Sequence, residues 1–334
     1  MRAFSYSRPR TPEAAVAAFT DAGAGARYIA GGTTLFDLMK LNVEQPNHLV
    51  DVSELHGTDL IETSGDVLRF GAGARMADIA DDETIKREYP LLAESLWRAA
   101  SQQLRNMASV GGNLLQRTRC PYFRNGAGGV YPCNKRDPGT GCAAIDGLDR
   151  GQAVLGTSDA CTAVSPGDWP VALTALDADI VVLGPQGNRT IPIADFYLLP
   201  QDTPDREFSL EPGELVIEIR VPKTAAGRAS TYHKVRDRES YAFALAAAAV
   251  ALRIEGGQVR QAHIALGGVA TKPWRSREAE AALRGRAPTR ENALAAGRAA
   301  LAGAKAGRHN GFKIHLAANT IADAISIAAE RSAS

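Results

Sequence analysis

Tyr28-Ile29-Ala30-Gly31-Gly32-Thr33-Thr34-Leu35 is the stretch that decides the fold of this 334-residue chain. Arg27-Tyr28-Ile29-Ala30 predicts a short strand, and a helix over Leu35–Leu41 starts at once. Two adjacent glycines between strand and helix allow unusual dihedrals and close approach of a ligand to the backbone. Their N–H groups and the new helix N-terminus make an anion site. Thr33 and Thr34 add hydroxyl donors. A second turn of the same kind, Ser109-Val110-Gly111-Gly112-Asn113, follows downstream. Two such nests suit a pyrophosphate held from both sides. A Gly-Gly pair is more often an ordinary tight turn, so taken alone this signal is weak. G-x-G-x-x-G after a strand is absent, which speaks against a Rossmann fold, and the Walker A lysine pattern is absent too.

Outward from these turns the chain alternates short elements. Thr11-Pro12 caps a helix that Gly23 ends. His48–Val52 and Val67–Gly71 alternate as strands. Asp78–Ala100 has helical periodicity broken once, at Pro90. After Pro170 come a helix over Val171–Asp177 and strands at Asp179–Leu183 and Leu215–Ile219. A polar link at Lys223–Arg228 precedes strands at Tyr232–Val235, Tyr241–Ile254 and Gln261–Gly267. Helices over Arg277–Leu283, Thr289–Ala302 and Leu316–Ala329 close the chain.

Between these regular halves, Leu115 to Cys161 shows neither period. It carries Gly126, Gly128, Gly129, Gly139, Gly141, Gly147, Gly151 and Gly156, and all four cysteines: Cys120, Cys133, Cys142 and Cys161. A structureless stretch of this length in a compact domain is usually functional or disordered. Four gathered thiols beside a phosphate-type turn point to a soft-metal or iron–sulfur site near a redox cofactor. Four thiolates are the usual ligation of a [4Fe–4S] cluster. Three readings compete. Zinc would favour paired C-x₂₋₄-C knuckles, absent here. Two disulfides would need an oxidising compartment. The thiols could also be unrelated and buried. The loop's cations, Arg117, Arg119, Arg124, Lys135, Arg136 and Arg150, either offset sulfur and phosphate charge or, for most of them, form a solvated surface.

YIAGGTTL at 28–35 and Ser109-Val110-Gly111-Gly112-Asn113-Leu114 resemble the two FAD pyrophosphate motifs of the molybdenum hydroxylase flavoprotein subunits, the xanthine dehydrogenase / CO dehydrogenase medium-subunit family. Ser165-Pro166-Gly167-Asp168 with the following helix, Pro212-Gly213-Glu214-Leu215-Val216, Tyr232-His233-Lys234-Val235-Arg236 and Ser240-Tyr241-Ala242-Phe243-Ala244 resemble further markers of the family, in order along nearly the whole chain. The resemblance implies an α+β fold: a two-part FAD-binding domain of the vanillyl-alcohol-oxidase type, then an α+β C-terminal domain with an antiparallel sheet and helices. The implied boundaries are 1–225 (subdomains 1–56 and 57–225, with a cysteine-rich insertion at 115–163) and 226–334. It implies FAD contacts from Tyr28, Ile29, Ala30, Gly31, Gly32, Thr33, Thr34 and Leu35, and from Ser109, Val110, Gly111, Gly112 and Asn113. Asp168 would bond adenosine or ribityl groups, and Val216 and Lys234 would lie along the flavin and adenine. Ala99 stands where some relatives carry an aromatic. The insertion resembles that of the cluster-bearing minority of the family, of the 4-hydroxybenzoyl-CoA reductase and periplasmic aldehyde oxidoreductase kind. That implies [4Fe–4S] on Cys120, Cys133, Cys142 and Cys161.

The remaining signals set limits. A net charge of +1, 38 basic against 37 acidic side chains, argues against a nucleic-acid surface. The most basic stretch, Lys234–Arg238, reads as one face of a strand. The most apolar run, Tyr241–Leu252, is too short to span a bilayer. The N-terminus lacks an apolar signal core, so the expectation is a cytoplasmic protein, or a periplasmic one exported folded with a signal-bearing partner. No Ser/His/Asp or Cys/His triad is apparent. The histidines (His48, His56, His233, His263, His309 and His315) read as surface or core, with His233 alone expected near a flavin. The family resemblance then implies an electron-transfer subunit of a molybdenum-dependent aldehyde oxidoreductase. Electrons would pass from a small [2Fe–2S] subunit, itself served by a large molybdenum subunit, through FAD to an external acceptor. An autonomous FAD oxidase of the vanillyl-alcohol type and a zinc-stapled scaffold are the alternatives.

Overall fold

The computed structural model describes residues 2–126 and 129–333. Gly128, one of the glycines of the cysteine-bearing segment, lies outside the described residues.

The first 56 residues build a small parallel sheet. Strand β1 (Ser5–Ser7), helix α1 (Pro12–Ala22), β2 (Ala26–Ile29), α2 (Leu35–Lys40) and β3 (His48–Asp51) follow in order, with β3 between β1 and β2. Thr11 caps α1 by accepting from the Ala14 N–H at 3.2 Å, as the sequence predicts. The second unit opens with β4 (Ile61–Glu62) and β5 (Val67–Gly71), then α3 (Met76–Asp81), α4 (Glu83–Glu88), α5 (Pro90–Trp97), α6 (Gln102–Met107) and α7 (Val110–Leu114). The expected helix over Asp78–Ala100 therefore breaks twice. The second break is at Asp82, whose carboxylate accepts from the Ile85 N–H at 2.9 Å and starts a new helix. A local side-chain cap competes with helix continuation at such a residue.

After the cysteine-bearing segment come α8 (Trp169–Ala175), β6 (Asp179–Gly184), β7 (Gly187–Pro192), α9 (Ile193–Phe196) and β8 (Leu215–Pro222). The strands join in a five-stranded antiparallel sheet, β4-β5-β8-β6-β7. The last unit holds β9 (Ser230–Val235), β10 (Ala246–Glu255), β11 (Gln258–Gly267), β12 (Trp274–Arg275), α10 (Arg277–Leu283), α11 (Arg290–Ala300) and α12 (Phe312–Ala333). Its sheet is antiparallel, β12-β11-β10-β9. β10 starts at Ala246, not at Tyr241. Tyr241 sits at φ 53°, a left-handed backbone that ends strand pairing there. The α+β architecture expected from the family is the one observed.

Apolar burial ties the units together. One large core joins Phe70, Leu91, Leu92, Trp169 and Ile219 with Tyr232, Ala247, Ala249 and Ala265 of the C-terminal sheet. A second fills the space between that sheet and α10, α11 and α12, with Ile264, Leu283 and Ile325. A smaller one seats the N-terminal sheet on the five-stranded sheet through Val16, Val50, Leu183 and Leu215. Among the described residues no helix is long and apolar enough to cross a membrane.

Candidate functional site

The turn after β2 is built by contact. A Cβ on Gly31 would lie 1.9 Å from the Met107 carbonyl oxygen, so only glycine lets the two backbones meet. Gly32 sits at φ +72°, again a glycine conformation. Among the described residues, the backbone N–H groups of Gly31, Gly32, Thr33, Thr34 and Leu35 donate to no protein acceptor. These are the free donors an anion needs. Since α2 has only six residues, the open N–H groups, not a long helix dipole, supply the attraction. The Tyr28 hydroxyl donates to the Gly213 carbonyl at 2.8 Å with its ring stacked on Phe19 at 4.6 Å. Tyr28 thus anchors the strand, and burial raises its phenol pKa.

The second turn lies beside the first, because Met107 and Ala108, which Gly31 meets, lead directly into Ser109. Its donors, however, are already taken. Val110 and Gly111 donate to Ala74 and Ala72 carbonyls at 2.9 and 2.8 Å, and Asn113 donates to the Ser109 carbonyl at 2.9 Å. Gly112 donates to the Ser109 hydroxyl at 3.2 Å. Gly111 is needed for packing: a Cβ there would sit 2.7 Å from the Ala72 Cβ. The second open nest expected from the sequence is corrected to a rigid platform. What it offers instead is Asn113, whose Oδ1 is buried and has no hydrogen-bond partner while its Nδ2 lies 3.3 Å from the Met76 sulfur. An unpaired buried acceptor beside a row of free N–H donors fits a polar ligand such as the ribityl–pyrophosphate part of FAD.

Asp168 and Lys234 meet each other. Lys234 Nζ donates to Asp168 Oδ2 at 2.8 Å and to the Arg98 carbonyl at 3.0 Å, and the Tyr232 hydroxyl donates to Asp168 Oδ1 at 2.6 Å. Both charged side chains are nearly fully buried. Asp168 occupies the cap position of α8 but makes no side-chain cap bond. Lys234, which the family resemblance would set along the flavin and adenine, is turned inward by strand alternation and held by Asp168. Burial raises the Tyr232 phenol pKa strongly, with the Asp168 carboxylate adding to it. His233, the next residue, points the other way, 3.9 Å from Asp323 on α12. Val216 lies on β8 with its side chain in the main core, and its neighbour Ile217 accepts from the Ala72 N–H at 2.9 Å beside the Gly111 platform. Ala99 is buried, and its carbonyl holds Arg105 at 2.8 Å.

Among the described residues, 115–163 hold no strand ladder. Among the described residues only the short 3₁₀ turn Phe123–Asn125 is helical there. The four thiols converge: Cys120, Cys133, Cys142 and Cys161 all line one cavity, with Phe123, Lys135, Ala144 and Ala163. Cys133 and Cys142 face each other as an antiparallel bridge, and all four are free thiols. Two donors aim at sulfur: Gln152 Nε2 at 3.4 Å from Cys120 and the Ala163 N–H at 3.5 Å from Cys161. Burial pushes the Cys120 thiol up and the Cys161 thiol up to about 11. Among the described residues no group of three or more His, Cys, Asp and Glu side chains is drawn together as it would be around a metal ion. A solvated surface is the expectation for most of the loop's cations, yet only Arg119 and Arg150 of the six keep well-exposed side chains. Arg117 pairs with Glu44 and Glu207 at 2.7 and 2.5 Å, Lys135 Nζ donates to the Pro204 carbonyl at 2.7 Å, and Arg136 donates to the Tyr122 and Tyr131 carbonyls at 2.7 Å.

Comparison with known proteins shows the family. Residues 2–224 match the FAD binding domain in molybdopterin dehydrogenase, and residues 230–328 match the CO dehydrogenase flavoprotein C-terminal domain. The chain belongs to the FAD-binding medium subunits of the molybdenum hydroxylase family. It is 46% identical over 328 residues to the aldehyde oxidoreductase FAD-binding subunit PaoB of Escherichia coli, covering 97% of this chain and 98% of that one. It is 29% identical to the carbon monoxide dehydrogenase medium chain of Hydrogenophaga pseudoflava, over 90% and 86% of the two chains. The solved carbon monoxide dehydrogenase of that organism superposes with a TM-score of 0.76 over 99% of this chain and 98% of its own, at 29% identity. These subunits are parts of oxidoreductases, and FAD is their cofactor.

Proposed function

We propose that this chain is the electron-transfer subunit of a molybdenum-dependent aldehyde oxidoreductase, taking electrons from a small [2Fe–2S] subunit and passing them through FAD to an external acceptor. The observation that carries the reading is end-to-end identity of 46% with an aldehyde oxidoreductase FAD-binding subunit, joined to a turn of free N–H donors where the family motif lies. When bound, FAD supplies the redox chemistry, because flavins exchange electrons with both one- and two-electron partners. The chain's own residues bind and orient it. The N–H groups of Gly31 to Leu35, with the Thr33 and Thr34 hydroxyls, hold the pyrophosphate. Asn113 accepts from a ligand hydroxyl, and the Ser109–Asn113 platform fixes the distance between the two walls. The Asp168–Lys234 pair serves as a wall of the site and not as a free ligand.

The four-thiol cavity is the proposed seat of a [4Fe–4S] cluster on Cys120, Cys133, Cys142 and Cys161. Convergence of all four thiols and two donors aimed at sulfur support it. Hydrogen bonds to cluster sulfurs are one way a protein sets potential. The compartment belongs to this proposal too: cytoplasmic, or periplasmic by folded export with a partner. Co-purification of the complex with visible spectroscopy, iron and acid-labile sulfide assay tests the reading. One FAD with iron and sulfide supports it, flavin without iron removes the cluster, and aldehyde oxidation by the isolated chain favours the autonomous oxidase. Gly32→Val, strained at a positive φ, is expected to lose FAD. Full flavin content in that variant would misplace the pyrophosphate site.

A further inference from the structure

We infer that the cysteine-bearing insertion positions the flavin turn, so that its packing on α2 sets the affinity for FAD, with Phe123 and Asp37 as positioning residues. The inference rests on the flavin and cluster reading above. α2 starts at Leu35, the last residue of the open turn. Six residues cannot hold a helix by themselves. Among the described residues no regular helix or strand packs broadly on α2. The insertion does. Leu38 of α2, 1% exposed, shares one apolar cluster with Phe123 and Cys133, and Cys120 and Val43 pack on its edge. Asp37 accepts from Arg124 and, at 3.2 Å, from Arg119. At the far end of α2, a Cβ on Gly126 would fall 2.6 Å from the Leu41 carbonyl oxygen, so the two backbones nearly touch. Arg117 lies 4.6 Å over the Phe123 ring while paired with Glu44, four residues past α2.

Two thiols of the cavity, Cys120 and Cys133, are thus part of the floor under α2. Whatever draws the thiols together fixes Phe123, and Phe123 fixes Leu38 and, through α2, the turn that precedes it. Coupling between two such sites is reciprocal: occupancy of the cavity strengthens FAD binding, and FAD strengthens retention of the cavity's occupant by the same factor.

The test uses the full complex in wild-type, Phe123→Ala, Phe123→Leu, Asp37→Asn and Cys142→Ser forms. Each is stripped of flavin and titrated with FAD by fluorescence quenching, with iron content and far-ultraviolet circular dichroism measured alongside. Phe123→Ala and Cys142→Ser are expected to raise the FAD Kd at least about fivefold. Phe123→Leu restores it, and Asp37→Asn gives a smaller rise in the same direction. Phe123→Ala combined with Cys142→Ser adds little, because both loosen one contact. An unchanged Kd in iron-depleted Cys142→Ser, or in natively folded Phe123→Ala, overturns the inference. Should Phe123→Ala not fold, Asp37→Asn decides, its carboxylate being 40% exposed. Wild-type complex with flavin but no iron removes the cluster reading alone, and the Phe123 and Asp37 titrations still decide this inference.

Discussion

Lys234 and Asp168 are the residues whose role the structure changes most. A buried charge is expensive unless paired and hydrogen-bonded. Here Asp168 has both oxygens occupied and Lys234 has two acceptors. Breaking such a pair from one side typically costs about 3–5 kcal/mol, whereas replacing both partners by apolar residues is often near neutral. Lys234→Met should therefore destabilise the fold by about that amount in urea denaturation, and Asp168→Leu with Lys234→Met should recover most of it. Equal destabilisation of the single and double variants would show that the pair does more than satisfy itself. Gly31 illustrates the opposite case, in which a local motif carries its own reason. Its contact with the Met107 carbonyl leaves no room for a side chain. Gly31→Ala should push the two turns apart and weaken FAD more than tenfold, about 1.4 kcal/mol or more, by flavin titration.

Elements that look independent in the sequence are stapled by single buried side chains. Lys313 of α12 is 1% exposed, and its Nζ donates to the Gly151 carbonyl of the insertion at 3.2 Å and to the Gly268 carbonyl at 2.8 Å. Burial, with Arg150 nearby, pushes its pKa down to about 8. A lysine whose folded pKa lies below its unfolded value near 10.4 binds its proton more tightly when unfolded. Stability is then gained as pH rises from about 8 towards the unfolded pKa, and lost as pH falls through the same window. The stability of the wild type relative to Lys313→Met should climb across that window with a slope of up to about 1.4 kcal/mol per pH unit. A flat difference between the two proteins, measured by urea midpoints at several pH values, would rule out a buried ammonium. α2 shows the same dependence on distant chain. Its strand–turn–helix boundaries are legible locally, yet its support comes from Phe123 and Arg124, more than eighty positions away.

The whole molecule shares cores across the borders that its sequence patterns draw. The main core mixes residues before position 225 with Tyr232, Ala247, Ala249, Ala251 and Ala265 beyond it. Glu94 of α5 accepts from the Tyr232 N–H and the Thr231 hydroxyl at 2.8 Å and from Arg331 at 2.6 Å. Calorimetry of the chain should accordingly show one cooperative transition, and residues 1–225 alone should be aggregation-prone with exposed apolar surface. Two well-separated transitions would contradict a shared core. Most strands and helices, the α+β class and the open turn at Gly31–Leu35 were readable from the chain, because period, caps and glycine pairs act over a few residues. The family too was readable, since its motifs keep their order. Tertiary structure alone decided that the Val110 and Gly111 donors are spent on Ala74 and Ala72, that Asp168 binds Lys234, and that His233 faces α12. It alone gathered four thiols spaced 13, 9 and 19 positions apart into one cavity. Each of those outcomes depends on which groups meet across long loops, and no local pattern of charge or hydropathy encodes a meeting between positions that far apart.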